Sequence, residues 1–552
     1  MTSPTLKQVP YGEASFAYLR KAGWAYVDKT PFIRTLEESG SRFHALMRPR
    51  RFGKSLFANM LAAYYDKAAA DDFETNFAGT WIAQHLTPSA KRYLVLKFDF
   101  SGVGGSREAI TAGFILKLKA GIWQFVKRYL WGNPQIEAVL DKDHPTPSAL
   151  LTEFLTTVQS LVNDRIFLII DEYDHLAQRF FSKDRETLDS ITGTEGLLTN
   201  FYAVIQAFSE SLIERAFITG VTSMSMNLVT SGLSHATDIS NCPSFSSCLG
   251  FTDEELRKLI PEVVDTRRYG RSVDEILERM KALYDGYRFS PESDVTVVNS
   301  SMALYYLCKT ARDNCEPLDL MVPSFSTGLS KIEPILSLGR PEFVEEVVLN
   351  VLWEKTTPFE SAGGTVDLGA DGKFSREGVL TFLVFMGFLT LSAANSGFLV
   401  CPNPVVKEVF FKYWFRRLGR TEDLSFPPTA LKKAVDSLKA GDAEPLLALI
   451  TDRLKRCIAG NAHARLDETS MLLAVSMALC TQMDYQVTAK EKGSESGCAQ
   501  LTLRTARLNN DAAAWRFEFE NSEGTIGGVK ALLVASHEKL TIGSTAANQG
   551  NA

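Results

Sequence analysis

Gly53-Lys54-Ser55 is the part of this chain whose residue types and order are best suited to chemistry. It follows a short apolar run, Phe43 to Met47, and a basic turn beginning at Arg48. It opens a segment with Leu56, Met60, Leu61 and Tyr64 on one helical face. A glycine-containing loop that leads from a strand into a helix aims its backbone N–H groups into one concavity and favours an anion there. In such a loop the Lys54 ammonium would reach β- and γ-phosphates, and the Ser55 hydroxyl would take a Mg²⁺. Arg50, Arg51, Phe52, Gly53 and Leu56 complete the expected cradle. The usual spacing is G-x-x-x-x-G-K-[ST], and Arg48 stands where the first glycine is expected.

The second chemical stretch is Phe167-Leu168-Ile169-Ile170-Asp171-Glu172. An apolar run without alternation suits a central parallel strand buried on both faces. Ligands of open α/β sheets bind at the C-terminal ends of such strands. Asp171 is expected to anchor the Mg²⁺, and Glu172 to polarise an attacking water as general base. A further strand, Arg215 to Gly220, ends in Val221-Thr222-Ser223. Where a strand of this kind lies between the loop strand and the acidic strand, its polar tip reads the γ-phosphate or the water. Thr222 is the catalytic candidate there, with Thr219 as the neighbouring one.

These residues need a scaffold. The chain has 552 residues, enough for two to four domains, and 45% hydrophobic with 22% charged residues is the composition of a globular protein. A net charge of −6 supplies no global attraction to nucleic acid, although a local basic groove stays open. Eight cysteines without metal-ligand spacing read as reduced thiols. No signal-type segment and no bilayer-spanning apolar run stand out, so a cytoplasmic protein without membrane contact is expected. Strand–helix alternation over residues 43–250 predicts a three-layer α/β domain with a mostly parallel sheet. Upstream, Trp24 to Thr30 reads as a strand-like piece, and Tyr93 to Phe100 as a second buried strand. Thr252 with Glu255 forms a capping box at a helix start. Helical sequence follows to about Arg420, with a helix passing into a hairpin around Gly387. Strands are expected at Tyr485–Thr488, Leu501–Ala506, Trp515–Glu520 and Lys530–Ser536, and a polar tail from Thr541.

Several of these pieces carry a likeness together: YVDKT at Tyr26, MRPRRFGKSL at Met47, IIDEYD at Ile169, FITGVTSMS at Phe217, LGFTDEEL at Leu249, YDGYRF at Tyr284, FMGFLTL at Phe385 and PNPVV at Pro402. Over roughly residues 8–420 the chain resembles bacterial AAA-ATPase-like proteins that join a P-loop ATPase to a C-terminal nuclease-like domain of the PD-(D/E)xK superfamily. The resemblance implies ATP and Mg²⁺ as ligands, with Lys54, Ser55, Asp171 and Glu172 in the roles above. An arginine-rich loop without the first glycine is typical of that group. The implied architecture is an α/β P-loop NTPase domain at 1–250, a helical lid with a winged-helix-like end at 251–420, a nuclease-like α/β domain at 421–540 and a disordered tail at 541–552. In the nuclease-like part Glu468 fits the helix glutamate. Gln500 stands where a metal-binding Asp is expected, and Glu520, two residues after Glu518, stands where a Lys is expected. The nuclease chemistry is therefore expected to be absent.

The primary expectation is an ATP hydrolase whose nucleotide state moves its attached domains. The alternative is a nucleotide-gated regulator or scaffold with little turnover, and a DNA-associated nuclease survives only by analogy. Arg185, Arg215 and Arg288 are arginine-finger candidates, and because such fingers often come from a neighbouring subunit a homo-oligomer is open. DNA remains a candidate partner of the C-terminal domain.

Overall fold

The computed structural model describes the chain apart from residues 1–5, 104–106, 176–189, 192, 194–195, 223–235, 318–319, 321–327, 361–372, 418–426, 460–484, 491–498, 506–513, 523–524, 535–538 and 546–552. Two compact units are present. One comprises Met1–Pro317, Pro334–Pro341 and Pro358–Pro402; the other comprises Leu318–Glu333, Glu342–Thr357 and Asn403–Ala552.

The first unit is built on strands β1 (Phe43–Met47), β2 (Leu94–Asp99), β3 (Ile166–Asp171), β4 (Ile213–Gly220) and β5 (Ala236–Asp238), all parallel, in the order β2-β3-β4-β1-β5. The unbroken apolar runs of β1 and β3 are buried along their whole length, as strands covered on both faces must be. β2 alternates between buried and half-exposed positions because it is the edge strand, a difference from the expected second fully buried strand. Ile110, Phe114, Leu118, Ile122 and Phe125 line one face of the Arg107–Tyr129 helix and bury themselves with Leu96 and Phe98 of β2. Ala109–Tyr129 is long and apolar enough to cross a membrane by length and composition, so the expectation that no such run exists does not hold. Its apolarity serves the core: a helix packed on a sheet also needs a continuous apolar stripe.

Residues 253–317 fold within this same unit. Thr252 and Glu255 form the expected capping box of the Asp253–Val263 helix. The helix Arg376–Phe385 ends at Gly387, whose φ of 79° turns the chain into a hairpin of β7 (Thr390–Leu391) and β8 (Phe398–Val400), preceded in sequence by the short strand β6 (Thr357–Pro358). Trp24 to Lys29 is not a strand. Its backbone has no sheet partner beyond Ala25 N–H, which donates to Gln8 O (3.0 Å), and it is held by side chains instead. Asp28 accepts from the N–H groups of Thr30 and Trp81, and Thr30 from that of Ile82.

In the second unit the helices Pro428–Lys439 and Glu444–Ala459 precede an antiparallel meander of β9 (Tyr485–Lys490), β10 (Ala499–Thr505), β11 (Ala514–Ser522), β12 (Thr525–Val534) and β13 (Lys539–Thr545), each strand pairing with the next. Gln500 and Glu518 are cross-strand partners on β10 and β11, and Glu520 pairs with Gly528. The expected helix position Glu468 lies outside the described residues. The tail expected to be unordered from Thr541 instead continues as β13 to Thr545, because β12 offers it a full ladder.

Candidate functional site

The strand order places β4 between the loop strand β1 and the acidic strand β3, so three strand ends converge at one edge. Gly53 caps the Lys54–Tyr65 helix with φ 96°, a left-handed conformation open to glycine at little cost. Arg51 (φ 74°) and Glu172 (φ 54°) also take left-handed backbone, which costs a non-glycine residue about 1–3 kcal/mol and concentrates at functional positions.

Lys54 is buried, and its ammonium donates to two backbone carbonyls, Arg48 O (2.8 Å) and Pro49 O (3.0 Å). Burial lowers its pKa to about 8, against the pull of Asp174, Asp171 and Glu172. Among the described residues no carboxylate forms an ion pair with it. A buried ammonium that hydrogen-bonds only to neutral carbonyls, with the carboxylates of Asp174, Asp171 and Glu172 near but not paired to it, can exchange those carbonyls for an anion. Asp171, buried at the end of β3, has its Oδ1 without a hydrogen-bond partner. Burial raises its pKa from the ordinary value, against the opposing influence of the neighbouring Ser55 hydroxyl. A hydroxyl and a carboxylate with an unused buried oxygen are hard oxygen donors that fit Mg²⁺. Glu172 is half-buried, with its Oε2 3.3 Å from His175 Nδ1.

Arg50, Arg51, Phe52, Gly53, Lys54, Ser55, Leu56, Glu172 and His175 all line one cavity of about 410 Å³. Leu19, Tyr26, Val27, Phe251, Leu259 and Leu304 give its lining an apolar part. Leu56, expected both in the cradle and on the apolar face of its helix, lines this cavity. The buried face of the helix is instead Phe57, Ala58, Met60, Leu61, Tyr64 and Tyr65. Phe52 contributes backbone only: its ring is buried edge-on against Tyr287 and Phe289, with centroids 4.9 and 5.2 Å away. The loop is held from outside by the start of the Ser300–Asp313 helix. Ser300 Oγ donates to Phe52 O (3.1 Å), and Ser301 N–H donates to Arg51 O (3.2 Å).

Two expectations need correction. Thr222 does not line the cavity. It is buried, and its hydroxyl donates to Asp174 Oδ2 (2.8 Å), which also accepts from the N–H groups of Val221 and Thr222. An acceptor-only carboxylate inside the turn captures the Val221 and Thr222 donors at the β4 tip. Gly220 allows this approach, since a Cβ there would lie 2.4 Å from the Tyr173 ring. Thr219, also buried, keeps its hydroxyl without a partner. The arginine candidates are likewise spoken for. Arg288 donates to the carbonyls of Ser293, Pro291 and Ser392, and Arg215 lies near the start of β4, away from the strand tips. Arg185 lies outside the described residues. Arg48, in the place of the first glycine, points into the unit: it donates to the carbonyls of Met47, Ser240 and Phe245 and stacks on Phe289 at 4.1 Å. Sequence reasoning assigned no role to His175, Asp174 or Ser300. Only Asp174 carried a signal, inside IIDEYD.

The fold and this edge define an α/β protein of P-loop-like type. Residues 10–230 match the family described as "Predicted AAA-ATPase". Over 296 residues the chain is 30% identical to a curated protein of Azotobacter chroococcum mcd 1 described as "Uncharacterized protein in vnfD 5'region". The match takes in 52% of this chain and 50% of that protein, so the chain spans about half the length of this relative.

Proposed function

We propose that this chain binds ATP with Mg²⁺ and hydrolyses it, and that the nucleotide state alters the domains attached to residues 1–250. The observation that carries the reading is the buried Lys54 ammonium, hydrogen-bonded only to carbonyls, together with Ser55 and the unused buried carboxylate oxygen of Asp171. Lys54 would hold the β- and γ-phosphates, and Ser55 and Asp171 would hold the Mg²⁺, which when bound neutralises phosphate charge. Glu172 would take the proton of the attacking water. The loop amides from Arg50 to Leu56 would cradle the phosphates, and the apolar part of the lining around Tyr26 and Phe251 would take the base. Titration calorimetry with Mg·ATP tests this: binding is expected for the wild type and strong weakening for Lys54→Ala. Equal affinities would overturn the reading.

A second reading, a nucleotide-gated regulator with little turnover, draws support from Arg48 and Arg288, both fixed on backbone carbonyls and so unable to act as a finger. For residues 421–540 we propose a nuclease-like descendant that binds or packs but does not cut DNA. Gln500 offers a neutral oxygen where a hard cation prefers a carboxylate, and Glu520 puts negative charge where the transition state also becomes negative.

A further inference from the structure

The turn that follows β3 uses its side chains in two different ways. Tyr173 and Asp174 are buried and tied to the β4 tip: the Tyr173 hydroxyl donates to Thr222 O (2.5 Å), and Asp174 takes the Val221 and Thr222 donors. Glu172 and His175 turn to the opposite side and line the cavity. The left-handed backbone of Glu172 and the His175 N–H donated to Glu172 O (3.1 Å) close the turn, which brings the His175 ring beside the Glu172 carboxylate. Nδ1 and Oε2 are 3.3 Å apart, a separation that catalytic hydrogen bonds without substrate often show before they tighten.

We propose that His175 is the positioning residue for Glu172. This inference rests on the reading of Glu172 as general base. A carboxylate at the end of a flexible stem in an open cavity has many orientations, and a base works only when one oxygen faces the water's proton. An Nδ1–H directed at Oε2 from this distance would hold one oxygen and leave Oε1 for the water. Among the described residues no other hydrogen bond fixes this carboxylate. Because Tyr173 and Asp174 anchor the turn from below, the His175 ring has a fixed base from which to orient its neighbour.

The test uses the full chain with Mg·ATP, separating kcat from KM and measuring ATP affinity by calorimetry. His175→Ala is expected to lower kcat by about tenfold or more, the cost of a misplaced reacting group, while KM and affinity stay near wild type. His175→Asn, whose amide N–H donates from nearly the same place, is expected to recover most of kcat. On a Glu172→Gln background His175→Ala is expected to add no further loss, because both act through one group. Thermal melts establish that each variant is folded. An unchanged kcat in folded His175→Ala overturns the proposal, as does an Asn variant no better than Ala or a rise in KM at constant kcat. If Glu172→Gln is inactive while His175→Ala matches wild type, only the positioning role falls. If Glu172→Gln or the wild type shows no base-dependent turnover, the general-base reading falls with it.

Discussion

Lys29 and Lys54 are both buried lysines on the wall of the same cavity, yet their surroundings differ in kind. The Lys29 ammonium donates to both oxygens of Glu255 (2.7 and 2.8 Å) and to Ser247 O (2.7 Å). Its charge is matched, and the N-terminal segment is thereby pinned to the capping box of the Asp253–Val263 helix. The Lys54 ammonium has only two neutral carbonyls. A buried cation that is fully paired works as a structural rivet, whereas one whose hydrogen bonds go only to dipoles is poised to exchange them for an anion. Of the three arginines in the loop, Arg48 is spent on carbonyls, while Arg50 and Arg51 line the cavity.

The largest effect expected on this contrast is at Glu172. Glu172→Gln should keep Mg·ATP binding and lose turnover by about 10²–10⁴-fold, the usual weight of a general base. Phosphate release at the wild-type rate would remove Glu172 from the open group. The lysines come next. Lys54→Ala should abolish or strongly weaken ATP binding, with little change in melting temperature or a slight rise, because an unpaired buried charge is removed. Lys29→Ala should do the reverse. Removing one partner of a fully buried pair costs about 3–5 kcal/mol, and the 23% exposure of Glu255 should bring this to the lower end or below, read as a lower urea midpoint with ATP affinity little changed. If Lys29→Ala weakened ATP as much as Lys54→Ala, the division between rivet and ligand would fail.

A smaller effect concerns His44 on β1, buried and hydrogen-bonded through Nε2 to Ser39 Oγ at 2.6 Å. Burial, aided by Arg215, lowers its pKa to about 4. The unfolded chain therefore binds the proton first as pH falls. The stability present above the unfolded value near 6.5 is lost between there and about 4, by at most roughly 3–4 kcal/mol at ~1.4 kcal/mol per unit. His44→Asn should flatten that limb of a melting-temperature profile, and a parallel decline in both proteins would assign the loss to other groups. No effect at all is expected on DNA. Incubation of the full chain with plasmid in Mg²⁺ or Mn²⁺, with and without ATP, should leave the DNA intact. Cleavage that disappears in Glu518→Ala would reverse the assignment of the C-terminal domain.

Local order in the chain was enough to read the strand–loop–helix around Gly53, the acidic end of β3, the capping box at Thr252 and the parallel character of the sheet. Each depends on neighbours within a few residues: apolar runs, a glycine before a helix, a cap three residues from its partner. What each polar residue does was decided only by tertiary contact. Thr222 and Asp174 are 48 residues apart, Lys29 and Glu255 226, Arg48 and Phe245 197, and Ser300 and Phe52 248. A side chain becomes a ligand or a strut according to which donors and acceptors the fold leaves it. Residue type at these positions is compatible with both outcomes, and only the packed sheet edge separates them.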